Sequence, residues 1–245
     1  MSRGHFIRSD QPGNVNKHVG DVMSRKSICA VLTGDIIRAN RLDDQEMNKV
    51  RSCLSDAVTR MQDWDRIYGG PDFFRGDSWQ LMLTQPDLAL RVAIYLRAAM
   101  RASRLSDTRI AIGLGHVNDM NPDQISQSTG EAFSLSKRGL YDMKIHVNMT
   151  VQLPKSLQLL SDWAPLMVHL CDAVINRWTR RQSEIAGLAL DIQKPTHAEI
   201  AEQLSTNITR QAVSDSLKAT NWTVIRDAVC EFEKTQWEFL LNSSS

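Results

Sequence analysis

Apolar residues in this chain change their spacing at well-defined points, and each change of period marks a new element. The run Ile28-Cys29-Ala30-Val31-Leu32 leads into Thr33-Gly34-Asp35 and predicts a covered strand. Asp43 and Glu46 make a capping box, after which Met47, Val50, Leu54, Ala57, Met61 and Trp64 recur at helical intervals to about Ile67. Gly69-Gly70-Pro71 is expected to stop that helix. A short hairpin is predicted next, from Phe73 through Gly76-Asp77 to Leu83, with Trp79, Leu81 and Leu83 on one face. Pro86 opens a second helix with Leu88, Val92, Leu96 and Ala99 on one side. Strand alternation returns at Ile110, Ile112 and Leu114, a helix is led by Gly130 to about Leu140, and Ile145, Val147, Met149 and Val151 alternate again.

From about Leu157 the period is helical throughout. Leu166, Leu170, Val174 and Trp178 mark one helix, and Ile185, Leu188 and Leu190 extend or follow it. Thr196 and Glu199 form a second capping box ahead of Ile200, Ala201 and Leu204; a turn over 205–208 then precedes a helix carrying Val213 and Leu217. The fold class expected is α+β: a ferredoxin-like βαββαβ unit followed by an all-helical module with a helix-turn-helix. The domain reading is a flexible arm over 1–25, a mixed domain over 26–155 and a helical domain over 156–245.

Composition adds little to this picture. With 245 residues, 42% hydrophobic, 23% charged and a net charge of +1, the chain is ordinary globular material, and any basic surface must be local. The arm has no apolar run, so neither a signal peptide nor an anchor is expected, and no other stretch is long and apolar enough to span a bilayer. Four scattered cysteines, Cys29, Cys53, Cys171 and Cys230, fit buried thiols of a cytoplasmic protein.

The candidate chemistry rests on Asp35, at the end of the first strand, and Asp77, at the tip of the hairpin. In the βαββαβ order these strands lie side by side, so the two carboxylates converge at one edge, and such a pair offers hard oxygen ligands to magnesium in company with phosphate oxygens. Each follows a glycine, Gly34 or Gly76, which is expected to let the backbone approach a ligand. The competing reading is two ordinary turn residues. In the second helix of the C-terminal pair, Arg210, Gln211, Ser214 and Lys218 lie along one side and are candidates for contact with double-stranded DNA in the major groove. Charge opposes this: residues 177–245 hold eight Lys or Arg against nine Asp or Glu, where most DNA binders present a basic surface. A docking or dimerisation role for the module stays open.

Taken in order, Gly34-Asp35-Ile36, Gly76-Asp77, Ile110-Ala111-Ile112-Gly113-Leu114-Gly115 and the helix from Gly130 to Arg138 resemble the palm of class III nucleotidyl cyclases, which GGDEF diguanylate cyclases share. Leu32-Thr33-Gly34-Asp35-Ile36, Arg75-Gly76-Asp77-Ser78 and Gly130-Glu131-Ala132-Phe133, with a helical C-terminal module, also resemble the bacterial SatD family. The resemblance implies a two-ion Mg2+ or Mn2+ site on Asp35, Asp77 and the Ile36 carbonyl, with Arg138 as transition-state arginine and Ser134 at the place of its asparagine partner. The purine-selecting lysine is replaced by Phe73, and the first Gly and the Glu of GGDEF by Arg75 and Ser78, so neither base pocket is reproduced. Arg38, Phe73, Arg75 and Gly76 are the nucleotide-binding candidates. Two functions follow from the resemblance. One is a magnesium-dependent nucleotidyl cyclase or nucleotidyltransferase acting on a nucleoside triphosphate; the other is a degenerate, nucleotide-sensing transcriptional regulator. A homodimer is expected in both, because cyclase sites are completed across a dimer interface.

Overall fold

A computed structural model describes residues 27–243 apart from 62, 63, 65, 66, 122 and 205–207. The predicted arm over 1–25 and most of the 205–208 turn lie outside the described residues. In chain order the elements are β1 (Ser27–Ile36), α1 (Asp44–Arg60), β2 (Ile67–Phe74), β3 (Ser78–Leu83), α2 (Ala89–Ser103), β4 (Thr108–Asp119), β5 (Thr129–Gly130), α3 (Glu131–Tyr141) and β6 (Met149–Gln152), followed by helices only. These are α4 (Gln158–Ile175), α5 (Arg180–Ala189), α6 (His197–Gln203), α7 (Arg210–Ala219), α8 (Trp222–Lys234) and α9 (Trp237–Ser243).

The strands form one mixed sheet in the order β2-β3-β1-β4-β5, with β6 added to β4. β1 runs antiparallel to both β3 and β4, and β6 runs parallel to β4. β1 is apolar at nearly every position because both of its faces are covered. Ala30, Leu32 and Ile36 join the main core with α1 and α2, while Cys29 and Val31 pack with Ala132 and Phe133 of α3 in a second cluster. Both predicted capping boxes are present, Asp43 with Glu46 and Thr196 with Glu199. A third, Thr179 with Gln182, opens α5.

Three local expectations are corrected. Ile67 opens β2 instead of closing α1, and Gly69-Gly70-Pro71 lie inside that strand. β2 is an edge strand whose register breaks between Tyr68 and Asp72, and an edge tolerates a residue with no N–H to give. The last strand begins at Met149, not Ile145, because Val147 N–H closes a turn on the Lys144 carbonyl and leaves Ile145 exposed. On α4 the buried side is Ala164, Val168, Cys171 and Ile175, while Leu159, Trp163, Leu166 and Leu170 form an exposed stripe. That helix carries two apolar stripes, and periodicity alone cannot say which one packs.

The change from mixed to purely helical structure near residue 155 falls within one continuous core. Val168, Cys171 and Ile175 of α4 and Ile225, Val229 and Phe232 of α8 share a cluster with the sheet and α2. Two arginines of α2 fasten these helices. Arg97, fully buried, donates to Asp107 at 2.6 Å and 3.1 Å, to Asp172 at 2.5 Å and to Asn176 at 2.8 Å. Arg91 grips Glu233 of α8 through two bonds of 2.5 Å and 2.9 Å and donates to the Leu190 carbonyl. Burial of these charges is tolerated because every one of them is paired.

Candidate functional site

Asp35 lies at the end of β1, cross-strand from Ser78 on β3 and Arg109 on β4. The backbone ties the hairpin tip to this point: Ile36 N–H donates to the Asp77 carbonyl at 3.1 Å. The tip itself needs positive φ at Arg75 (50°) and Gly76 (82°), which is the reason for glycine at 76. Gly34 has a different one. A Cβ there would meet the Trp79 indole at 2.4 Å, so its missing side chain makes room for a core tryptophan. At Gly34 core packing replaces the expectation that glycine brings backbone to a ligand; at Gly76 the turn itself calls for glycine, and a Cβ would meet nothing within 4 Å. Arg51 of α1 secures the hairpin from outside, donating to the Gly76 carbonyl while its guanidinium stacks 5.8 Å from the Phe73 ring centre.

The side chains around Asp35 form a cavity of about 610 Å3 lined by Thr33, Asp35, Phe74, Arg75, Ser78, Arg109, Ser126, Lys137, Leu140 and Tyr141. Its dominant contact is between Asp35 and Arg109. The guanidinium meets the carboxylate side-on, with Nε donating to Oδ1 at 2.8 Å and Nη2 donating to Oδ2. This hydrogen bond, and then the negative charges of Asp35 and Asp77, raise the Arg109 pKa against the effect of its own burial. Arg109 is therefore the cation on which both aspartates act. Thr33, buried beneath, is fixed by hydrogen bonds to Ser136 and Gln80.

Of the candidates named from the sequence, Asp35 and Arg75 line this cavity, and Asp77 is joined to it through its backbone. Phe73 points to the α1 side under Arg51, and its neighbour Phe74 faces the cavity, as alternation along a strand requires. Arg38 lines a different cleft beyond the end of β1. On α3, Lys137 lines the cavity, whereas Ser134 and Arg138 are exposed outside its lining and Ser134 Oγ returns to the Gly130 carbonyl. Arg210, Gln211 and Lys218 are exposed on α7, with Asp215 among them: Gln211 donates to Asp215 at 2.9 Å and Lys218 Nζ lies 3.9 Å from it. Arg109, Lys137 and Tyr141 were not singled out from the sequence. Only the strand register, pairing Asp35 with Arg109, could have flagged the first.

As a test of metal fit, the donor set is short. Among the described residues no group of three or more His, Cys, Asp or Glu side chains could hold an ion. Both Asp35 oxygens accept from Arg109, and Arg75 and Lys137 line the same space. With three cations around one lining carboxylate, this arrangement does not fit a pair of resident metal ions.

No family model matches the chain, and no curated protein matches it. Among solved structures it is similar to the guanylyl cyclase Cya2, at 16% identity over 52% of this chain and 76% of that one, with a TM-score of 0.39. Two structures of a bacterial light-regulated adenylyl cyclase are similar at 15% and 16% identity, each over 52% of this chain, with TM-scores of 0.38 and 0.40. The matched region spans 44% of the first of these adenylyl cyclase chains and 77% of the second.

Proposed function

We propose that this protein binds a nucleotide in the cavity around Asp35 and acts as a nucleotide-responsive regulator. The observation that carries the reading is the joining, in one cavity of about 610 Å3, of Arg75, Arg109 and Lys137 with the rings of Phe74 and Tyr141. Guanidinium and ammonium groups suit phosphate oxygens, and exposed aromatic faces suit a base. Ser78 and Ser126 add hydroxyls to the lining. The strand order β2-β3-β1-β4, with α1 and α2 as crossovers, supports the ferredoxin-like reading of the palm, and the sequence motifs support its likeness to nucleotidyl cyclases.

Arg109 gives the reading a mechanism. In the ligand-free chain its charge is matched by Asp35; an arriving phosphate group competes for the same fork of N–H donors. Occupancy is thereby linked to the end of β1 and the hairpin tip. Ile200, Leu204, Val213 and Leu217 of the α6–α7 unit pack together in a small cluster that also takes in Ile185 of α5, which supports the helix-turn-helix reading. A homodimer formed through the exposed Leu159, Trp163, Leu166 and Leu170 stripe is part of the same proposal.

The experiment is calorimetric titration of the full chain with each nucleoside triphosphate, with and without Mg2+, alongside an assay for released pyrophosphate. Binding lost in Arg75→Gly/Lys137→Ala, without turnover, is the expected result. Binding that survives this double variant unchanged refutes the site. The second reading, catalysis, is favoured by the backbone bond from Ile36 to the Asp77 carbonyl, which brings the hairpin tip to the end of β1 beside Asp35; it requires pyrophosphate release abolished by Asp77→Ala. For the C-terminal module, DNA contact requires that Arg210→Ala weaken duplex retention at low salt and that Asp215→Asn strengthen it.

A further inference from the structure

Beyond the end of β1, on the side of the sheet carrying α2 and α4, lies a second cleft of about 670 Å3. Arg38, Arg41, Arg101, Arg104 and Arg180 line it, with Asp107 as its one acidic residue. The charge of Asp107 is already taken by Arg97 and Arg101. The amide oxygen of Asn176 accepts from Arg97 and Asn148, and Ser106 Oγ donates to the Ile37 carbonyl. Arg38, Arg41 and Arg104 are exposed and make no ion pair with a described residue. Arg101 Nε is buried without a hydrogen-bond partner. In a chain of net charge +1, this is a strong local concentration of positive charge.

Backbone conformation supplies an independent observation. Five described non-glycine residues have positive φ, and three are arginines: Arg38 at 58°, Arg75 at 50° and Arg104 at 63°. Arg104 caps the C-terminus of α2, the position where glycine is usual, and Arg38 precedes the 3-10 turn after β1. Both sit in strained conformations that glycine would adopt freely, and both open on the same cleft.

We propose that this cleft is a binding site for an oligophosphate chain, whether free or carried by a nucleotide. Guanidinium forks match phosphate oxygens, and five of the lining side chains are arginines. The site is a concave cleft, which favours a small ligand over the backbone of a nucleic acid. It rests on different residues from the Asp35 cavity and stands without that reading.

The test is calorimetric titration of the full chain with sodium tripolyphosphate, in wild type, in Arg75→Gly/Lys137→Ala to silence the other cavity, and in Arg38→Gly/Arg104→Gly. Tripolyphosphate should bind the Arg75→Gly/Lys137→Ala protein, more weakly as salt rises, and at least about tenfold more weakly once Arg38→Gly and Arg104→Gly are added. Because glycine relieves the left-handed strain, the unfolding temperature of Arg38→Gly/Arg104→Gly should not fall below that of wild type, which separates lost binding from lost structure. Unchanged affinity when Arg38→Gly and Arg104→Gly are added to Arg75→Gly/Lys137→Ala overturns the proposal. So does binding restricted to nucleoside triphosphates with none of bare tripolyphosphate, and so does binding of duplex DNA alone.

Discussion

Replacing Arg109 by glutamine removes the charge that Asp35 and Asp77 share while keeping a donor for Asp35, and it should turn a site closed to metal into one that accepts it. A dication on Asp35 would lie about 4 Å from the guanidinium, whose Nε is 2.8 Å from Oδ1. Repulsion between charges of two and one at that distance is about 2 kcal/mol with the full screening of water and about 8 kcal/mol at an effective dielectric of ~20. Arg109 is about one-third exposed (34%) and Asp35 16%, so the water value is the lower bound. It corresponds to about thirtyfold in Kd. Mn2+ titration followed by electron paramagnetic resonance should therefore show at least ~thirtyfold tighter binding in Arg109→Gln than in wild type, with circular dichroism confirming the fold. Adding Asp35→Asn should abolish the gain. Equal Mn2+ affinity in wild type and Arg109→Gln would refute the argument that the guanidinium stands in the place of a cation.

Three other outcomes follow from the buried charges and thiols. Arg97→Met strands Asp172, which is almost wholly buried and keeps only the Asn148 N–H at 2.8 Å, so urea unfolding should show a loss of about 3–5 kcal/mol; a loss below ~1 kcal/mol would contradict the buried network. Burial alone would raise the Asp107 carboxyl, but the charge of Arg97 and bonds from Arg97, Arg101 and the Thr108 N–H hold it below its ordinary value. Its stabilisation is then complete above pH 3.8 and is lost as pH falls further, so the stability gap between wild type and Asp107→Asn should close in that acid range; a gap that widens there reverses the assignment. Burial pushes the Cys29 and Cys171 thiols up to about 11, so Ellman's reagent at pH 8 should titrate at most Cys53 and Cys230 in the native chain and all four thiols after unfolding.

What could be read from the sequence depended on whether the signal was local. Both capping boxes that were named form because each is closed by residues three apart, and β1 is legible because burial on two faces leaves a continuous apolar run. The site was only half legible for the same reason. Asp35 announces itself at the end of an apolar strand, but Arg109 acquires meaning through a register that pairs residues 74 positions apart. On α3 a single step of about 100° decides that Lys137 and not Arg138 lines the cavity, and a helix boundary shifted by one residue would reverse the choice. Arg97 and Arg91 were hidden altogether, since helical periodicity marks an apolar stripe, whereas α2 is enclosed by the sheet on one side and by α4, α5 and α8 on the other. The arginines of the second cleft come from three separate segments, and only the fold makes them one site. Long-range electrostatics, more than hydrophobic pattern, therefore separates this chain from what its motifs suggest. The pattern builds the mixed sheet, while the charges brought together at the end of β1 leave Asp35 paired with Arg109.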